Sequence, residues 1–132
     1  MTDLICVGRD DLDKTWPLVE HLFVAAYQAT DFPMPDVLAW LKSGEGLLWL
    51  ASDGTRVLSA LTTALEQRAS GMAMTLVANG GEDMAQWVHH LSEIEDYAKS
   101  KGCVKMRCIG RQGWSRVLSG YEVKTVSLEK RL

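Results

Sequence analysis

The last third of the chain, Asp83 to Leu132, constrains the fold most strongly. Apolar and charged residues alternate over Val104 to Ile109, as in a strand with one solvated face. A glycine-rich turn follows, then a short helix over Ser115 to Ser119 and a closing strand over Tyr121 to Leu128. A long helix that ends at Gly102 precedes them, and its apolar residues share one face: Met84, Trp87, Val88, Leu91, Ile94 and Ala98.

The middle of the chain predicts an antiparallel meander. Asp53-Gly54 is a strong hairpin signal, Glu66 to Gly71 forms a second turn, and Asn79-Gly80-Gly81 ends the third strand. The three strands cover Leu47 to Ser52, Val57 to Leu65 and Met72 to Val77. We expect the third of these to lie parallel and adjacent to the next strand along the chain. The long helix would join the two in a right-handed crossover.

The N-terminal region predicts one strand and two helices. Leu4 to Val7 is a short apolar run that Gly8 ends, and a short helix covers Asp36 to Ser43. Between them, one helix presents an apolar face of Leu12, Trp16, Val19, Leu22, Phe23 and Ala26. The order β-α-α-β-β-β-α-β-α-β then predicts a single α/β domain over 1–132, with a mixed sheet and helices on both faces.

The composition argues against several classes of protein. A formal charge of −3 and a pI near 5.6 do not suit a nucleic-acid binder with a broad basic surface. No apolar run is long enough for a bilayer span, so no membrane partner is expected. The three cysteines lack zinc-ligand spacing, so we predict free thiols, no metal and a cytoplasmic location.

Three motifs of the last third carry a family resemblance. Tyr97 to Met106 resembles the helix end, glycine and strand that follow the acyl-CoA helix of GNAT (Gcn5-related) N-acetyltransferases. Val117 to Tyr121 resembles their short helix ending in Gly-Phe. Gly110 to Trp114, with Val117-Leu118 and Leu128 to Lys130, is similar to small GNAT-like proteins of phages and prophages. The resemblance implies a twisted, mixed, largely antiparallel sheet, and a phage-encoded source.

The same resemblance directs attention to the segment before the long helix. GNAT enzymes hold the CoA pyrophosphate there with the motif Gln/Arg-x-x-Gly-x-Gly/Ala, on the backbone N–H groups of a helix N-terminus. The corresponding candidate cofactor-binding residues are Val77, Asn79, Gly80 and Gly81. Neither alignment of the glycines reproduces the motif, because a carboxylate, Glu82 or Asp83, falls at its last position. Carboxylates at a helix start cap the free N–H groups and oppose a polyanion.

Two residues are candidates for the acid–base chemistry that the resemblance implies. Glu66 lies near the place where GNAT enzymes often carry a base for the amine proton, although a solvated turn carboxylate is the alternative. Tyr121 is the candidate acid, displaced by two residues from Ser119, which occupies the family's tyrosine position. The adjacent His89 and His90 cannot chelate one metal ion, and both are predicted on the solvated or intermediate face of the helix.

Arg111, Trp114 and Arg116 form a predicted interaction surface in the glycine-rich turn. Guanidinium groups suit phosphate or carboxylate, and an indole offers a flat stacking face. The alternative is that Trp114 covers the core while the arginines pair with carboxylates such as Glu122. A further thiol, Cys108, falls on the apolar side of its strand, which predicts a buried structural role.

Two classes of function follow. The first is a non-catalytic interaction or virion-associated protein with a degenerate pyrophosphate loop, which binds a protein partner or a second copy of itself. The alternative is an active acyl-CoA-dependent N-acyltransferase for a small amine or a protein amino group. Acetyl-CoA is required only by the alternative, in which a backbone N–H near Val77 would polarise the thioester carbonyl. The expected location is the host cytoplasm or the virion.

Overall fold

The computed structural model describes residues 2–30, 33–81, 86–108, 118, 120–122, 124 and 128–132. Five strands form one mixed sheet in chain order: β1 Asp3–Cys6, β2 Gly46–Ser52, β3 Val57–Arg68, β4 Gly71–Gly81 and β5 Cys103–Cys108. The first four strands are antiparallel neighbours, whereas β4 and β5 are parallel. The predicted parallel pair is therefore confirmed, as is the largely antiparallel character of the sheet.

Helices cover both faces of this sheet, as predicted. They are α1 Leu12–Val19, α2 Val24–Thr30, α3 Val37–Lys42 and α4 Gln86–Ser100. The face under α1, α2 and α3, here called the α2 face, is filled by the rings of Trp16, Phe23 and Tyr27. The opposite α4 face is filled by Ile94 and Ala98 against residues of β2 to β5. None of the described helices is long and apolar enough to cross a membrane.

The helix predicted over Leu12 to Ala26 is divided in the structure. Its six apolar residues do pack into one cluster, but a 3-10 helix, Glu20–Phe23, separates α1 from α2. Pro17 lies inside α1. It removes a backbone donor and crowds the carbonyl group four residues earlier, so its effect falls on the turn of α1 that precedes it. The apolar spacing is thus preserved across a change of helix type.

The hairpin between β3 and β4 is longer than predicted. Glu66 lies within β3, opposite Ala73, because the turn is shortened to the residues between Arg68 and Gly71. Gly71 adopts a φ of +122°, which permits so tight a reversal. The prediction that Asn79-Gly80-Gly81 ends the third strand is also wrong. These residues continue β4 and pair with Leu61, Ala60 and Ser59.

Two further differences concern the last third of the chain. His90 is buried rather than solvated, because it lies one helical turn before Ile94 on the same face of α4. Cys108 packs against the α4-face cluster, on the predicted side of its strand, but it is half-buried rather than buried, and this burial raises the pKa of its thiol. Among the described members of the predicted closing strand, Tyr121, Glu122, Lys124 and Leu128, none is in a strand. The predicted helix over Ser115 to Ser119 falls outside the described residues, except Leu118.

Candidate functional site

A β-bulge interrupts strand β4 at Val77. Thr63 of β3 lies opposite Leu76 and Thr62 lies opposite Ala78, so Val77 is an extra residue without a partner in this ladder. The last described pair between β4 and β5 is Leu76 with Cys108, immediately before the bulge. A bulge leaves backbone groups outside the regular ladder, and bulges are common beside active sites. The sequence contained no signal for it, although Val77 itself is a predicted site residue.

The hydroxyl groups opposite the bulge are engaged inside the protein. Tyr27 and Thr62 share a buried hydrogen bond of 2.6 Å between their oxygens, and burial raises the pKa of Tyr27 to about 12. On the α4 face, the Trp49 indole N–H donates to Thr63 Oγ1 at 3.0 Å. Each threonine is thus bonded to an aromatic side chain on its own side of the sheet. Sequence reasoning missed these contacts, because they join residues that are far apart in the chain.

Gly80 and Gly81, two of the candidate cofactor-binding residues, are required by packing. A Cβ atom on Gly80 would lie 1.8 Å from the carbonyl oxygen of Leu22, in the turn between α1 and α2. Gly81 has a φ of +115°, and its Cβ would lie 2.5 Å from the carbonyl oxygen of Leu58. Both glycines pair with β3. A pyrophosphate cradle uses backbone N–H groups at a helix N-terminus, and residues 82–85, which lead from β4 to α4, fall outside the described part of the chain.

Asn79, the remaining candidate in this group, lies opposite Leu61 in β4. Leu61 belongs to the α4-face cluster, so Asn79 is on that side of the sheet. Its Oδ1 atom is buried and has no hydrogen-bond partner within the part of the chain that is described. Glu82 and Asp83, which follow β4, fall outside that part.

Glu66, the candidate base, is held by two arginines. Its Oε2 atom accepts hydrogen bonds from Arg68 Nη1 at 2.8 Å and Arg107 Nη1 at 3.4 Å. Alternation along β3 from Thr62, which bonds to Tyr27, places Glu66 on the α2 face. At about 3.3 Å per residue, Glu66 lies roughly 10 Å from the bulge along the strand. The Oε2 atom of Glu66 is thus bonded to two arginines at a distance from the bulge.

Tyr121, the candidate acid, contacts α4. Its hydroxyl group donates a hydrogen bond to Glu95 Oε2 at 2.9 Å. Burial raises the pKa of this phenol, and the hydrogen bond and the negative charge of Glu95 raise it further. Because α4 covers the face opposite to that of Glu66, the structure does not bring the two catalytic candidates together.

The predicted interaction surface of Arg111, Trp114 and Arg116 lies outside the described residues. Glu122, the carboxylate proposed as an alternative partner for these arginines, forms an exposed ion pair of 2.7 Å with Lys124. This pair lowers the pKa of Glu122 through the hydrogen bond and charge of Lys124.

No protein-family model and no curated protein sequence matches this chain. Solved structures do. An aminoglycoside acetyltransferase from an uncultured soil metagenomic sample, in complex with sisomicin, has a TM-score of 0.74 at 12% identity and matches over 99% of this chain and 96% of its own. A GNAT family acetyltransferase from Staphylococcus aureus has a TM-score of 0.65 at 15% identity, with 99% and 98% covered.

A third structure is a predicted acetyltransferase from Clostridium acetobutylicum, solved with acetyl-CoA. Its TM-score is 0.67 at 12% identity, over 99% of this chain and 96% of its own. Such low identities establish a common architecture rather than a common activity. The likeness covers nearly the whole chain. It agrees with the order of the strands and with the parallel β4–β5 pair that α4 joins. The protein therefore has the fold of the GNAT acetyltransferases.

Proposed function

We propose that this protein is a non-catalytic interaction module built on the GNAT fold. The observation that carries the proposal is the close packing of Gly80 against the Leu22 carbonyl group, at 1.8 Å from where a Cβ would lie. The glycines that would cradle a pyrophosphate instead serve the junction between β4 and the helices of the α2 face. A packing contact thus takes the place of the loop that would bind the pyrophosphate of acyl-CoA.

Charge and side-chain engagement support the same proposal. Glu82 and Asp83 stand between β4 and α4 in the sequence, where negative charge opposes a polyanionic ligand. Glu66 is bonded to Arg68 and Arg107, and the Tyr121 hydroxyl is bonded to a carboxylate on α4. A base and an acid that act on one substrate must both reach it.

The proposed partner surface is the turn with Arg111, Trp114 and Arg116. This turn follows β5 in the chain, and ligands of α/β sheets tend to bind beyond the carboxyl ends of strands. Arginine and tryptophan are enriched where protein interfaces carry most of their binding energy. The similarity of the last third to phage and prophage proteins favours a viral source. We propose that the module acts in the host cytoplasm or in the virion, on another protein or a second copy.

The second candidate is an acyl-CoA-dependent N-acyltransferase that acts on a small amine or a protein amino group. The observation that favours it is the bulge at Val77, beside the last described pair of β4 and β5. A backbone group released by the bulge could bind a thioester carbonyl without any phosphate motif. One neighbour with the same fold is an aminoglycoside acetyltransferase, and another was solved with acetyl-CoA.

Titration with acetyl-CoA separates the two candidates. We expect no change in the melting temperature at millimolar ligand, because the pyrophosphate cradle is lost. A ligand at a hundred times its Kd would add about 2.7 kcal/mol of stability, which moves the melting temperature of a small domain by several degrees. The Clostridium acetobutylicum acetyltransferase, solved with acetyl-CoA, is the positive control. A saturable rise in the melting temperature would overturn the loss of the acyl-CoA site, and transfer of the acetyl group to an amine would then establish the alternative.

Separate Trp114→Ala and Arg111→Ala substitutions test the proposed surface. We expect each variant to keep the wild-type melting temperature and to lose self-association in sedimentation velocity or incorporation into phage particles. Truncating a tryptophan or arginine anchor commonly weakens an interface by about 2 kcal/mol or more. Arg131→Ala, in the exposed C-terminal tail, is the matched control. A lower melting temperature with intact assembly would mean instead that Trp114 is part of the core.

A further inference from the structure

A compact cluster of charged side chains lies on the α2 face. The Nη1 atoms of Arg68 and Arg107 both donate to one atom, Glu66 Oε2, so the two guanidinium groups are close together. The side chains remain accessible, at 40% for Arg68, 27% for Arg107 and 36% for Glu66. Within the described chain, the other N–H groups of the two guanidiniums have no acceptor. Unused donors therefore remain at the surface.

The cluster carries an excess of positive charge. One carboxylate, Glu66, is shared between two arginines. Lys105 is exposed and pairs with Ala73, the residue opposite Glu66, which places it on the same face. This patch is positive although the whole chain has a formal charge of −3. Like charges held together are unfavourable unless an anion balances them.

A buried hydroxyl group underlies the same patch. Thr75 lies opposite Arg107 in β5 and opposite Ala64 in β3, which is two residues from Glu66 and on the same face. Thr75 is only 2% exposed, and its Oγ1 atom has no hydrogen-bond partner within the described residues. The Oγ1 atom is closed to solvent, so it lies beneath the patch, and the arginines are the groups that a ligand meets directly.

We propose that Arg68 and Arg107, above the buried Thr75, form a binding site for a carboxylate, supplied by a small organic acid or by an acidic peptide. A guanidinium fork matches the planar geometry of a carboxylate. Glu66 shows that a carboxylate fits here, since its oxygen already contacts both arginines. Glu66 is then an internal competitor that holds the guanidiniums until the ligand arrives. This site does not require acyl-CoA and is independent of the Trp114 surface.

Titration of the full chain by NMR tests the site, with sodium succinate and an acetylated tetraglutamate peptide as separate probes at constant ionic strength. We expect saturable shifts of the Thr75 and Arg107 amide signals. Arg107→Gln should weaken binding at least tenfold. Glu66→Gln should tighten it severalfold, because it removes the competitor and leaves one more uncompensated positive charge. Tighter binding of the peptide would assign the carboxylate to a protein, and equal or tighter binding of succinate would assign it to a small acid.

Two further variants serve as an alternative to Arg107→Gln and as a control for the loss of a positive charge. Arg68→Gln, at the more exposed arginine, replaces Arg107→Gln if the latter fails to fold, and it should weaken binding similarly. Arg131→Gln removes the same charge from the exposed tail and should leave binding unchanged. The proposal is overturned if no shift saturates, if both arginine variants bind like the wild type, or if only inorganic phosphate binds. Weaker binding by Glu66→Gln would equally overturn it, since the cluster would then be a structural ion pair.

Discussion

Substituting Gly80→Ala is expected to destabilise the protein by more than about 3 kcal/mol, because the new methyl group has no room. Its Cβ would lie 1.8 Å from the Leu22 carbonyl oxygen and 2.7 Å from the carbonyl carbon, and both atoms are backbone. Relief requires either β4 or the 3-10 helix to move. Natural domains have about 5–15 kcal/mol of stability in total, so this loss is a large fraction of the free energy of unfolding.

Gly8→Ala is the matched control for this experiment. The nearest atom to its Cβ would be 3.7 Å away, and Gly8 has a φ of −65° that any residue adopts. We expect the free energy of unfolding of that variant to be close to that of the wild type, as measured by urea denaturation followed by circular dichroism. If Gly80→Ala is as stable as Gly8→Ala, the glycine is not a packing residue. If it is stable and abolishes acetyl-CoA binding, the cofactor role of Gly80 is restored.

Substituting Phe23→Ala is expected to cost about 3–5 kcal/mol, the usual range for removing a buried aromatic ring. Phe23 is fully buried and stacks on Trp16 with ring centroids 5.6 Å apart. Its other side meets the Tyr27 ring edge-on at 5.7 Å. The cavity would open between the two remaining rings, Trp16 of α1 and Tyr27 of α2, which Phe23 of the 3-10 helix joins. Chemical denaturation, with the slope m compared between variants, measures the loss.

Leu18→Ala provides the contrast for Phe23→Ala. Leu18 lies on α1 but is 69% exposed, so the change should stay within about 0.5 kcal/mol of the wild type. A similar loss in both variants would mean that burial of the Phe23 ring is not what determines stability here, since alanine is the best helix former and helix propensity cannot explain a loss in either variant. A loss confined to Phe23→Ala would confirm the aromatic cluster as the centre of the α2-face core.

Gly80→Ala and Phe23→Ala probe one junction, where the helices of the α2 face meet β4. Leu22 and Phe23 are adjacent in the 3-10 helix, so the carbonyl group that requires Gly80 and the ring that fills the core are adjacent in the chain. The 3-10 helix between α1 and α2 thereby contributes to both contacts. The same junction carries the proposed loss of the pyrophosphate cradle, which links packing to function.

The amino-acid sequence by itself determined the order of the strands β1 to β5 and the parallel pairing of β4 with β5, although not every element or boundary. The apolar face from Leu12 to Ala26, the hairpin at Asp53-Gly54 and the helix between β4 and β5 are periodic or local signals. Helical and strand periodicities follow from backbone geometry, and therefore they are visible without any tertiary contact. The resemblance to GNAT proteins rested on the same ordered elements, and the likeness to solved structures agrees with it.

Only the tertiary structure decided what the candidate residues contact. Glu66 accepts a hydrogen bond from Arg107, 41 positions away in the chain. His90 Nε2 lies 2.8 Å from Thr2 Oγ1, 88 positions away. The bulge at Val77 arises from the match between two strands, and the need for Gly80 arises from a carbonyl group in another element. Such contacts depend on how faces of separate elements meet, and no local pattern encodes that meeting. The sequence therefore specified the architecture, whereas the packed fold determined which side chains remain available for chemistry.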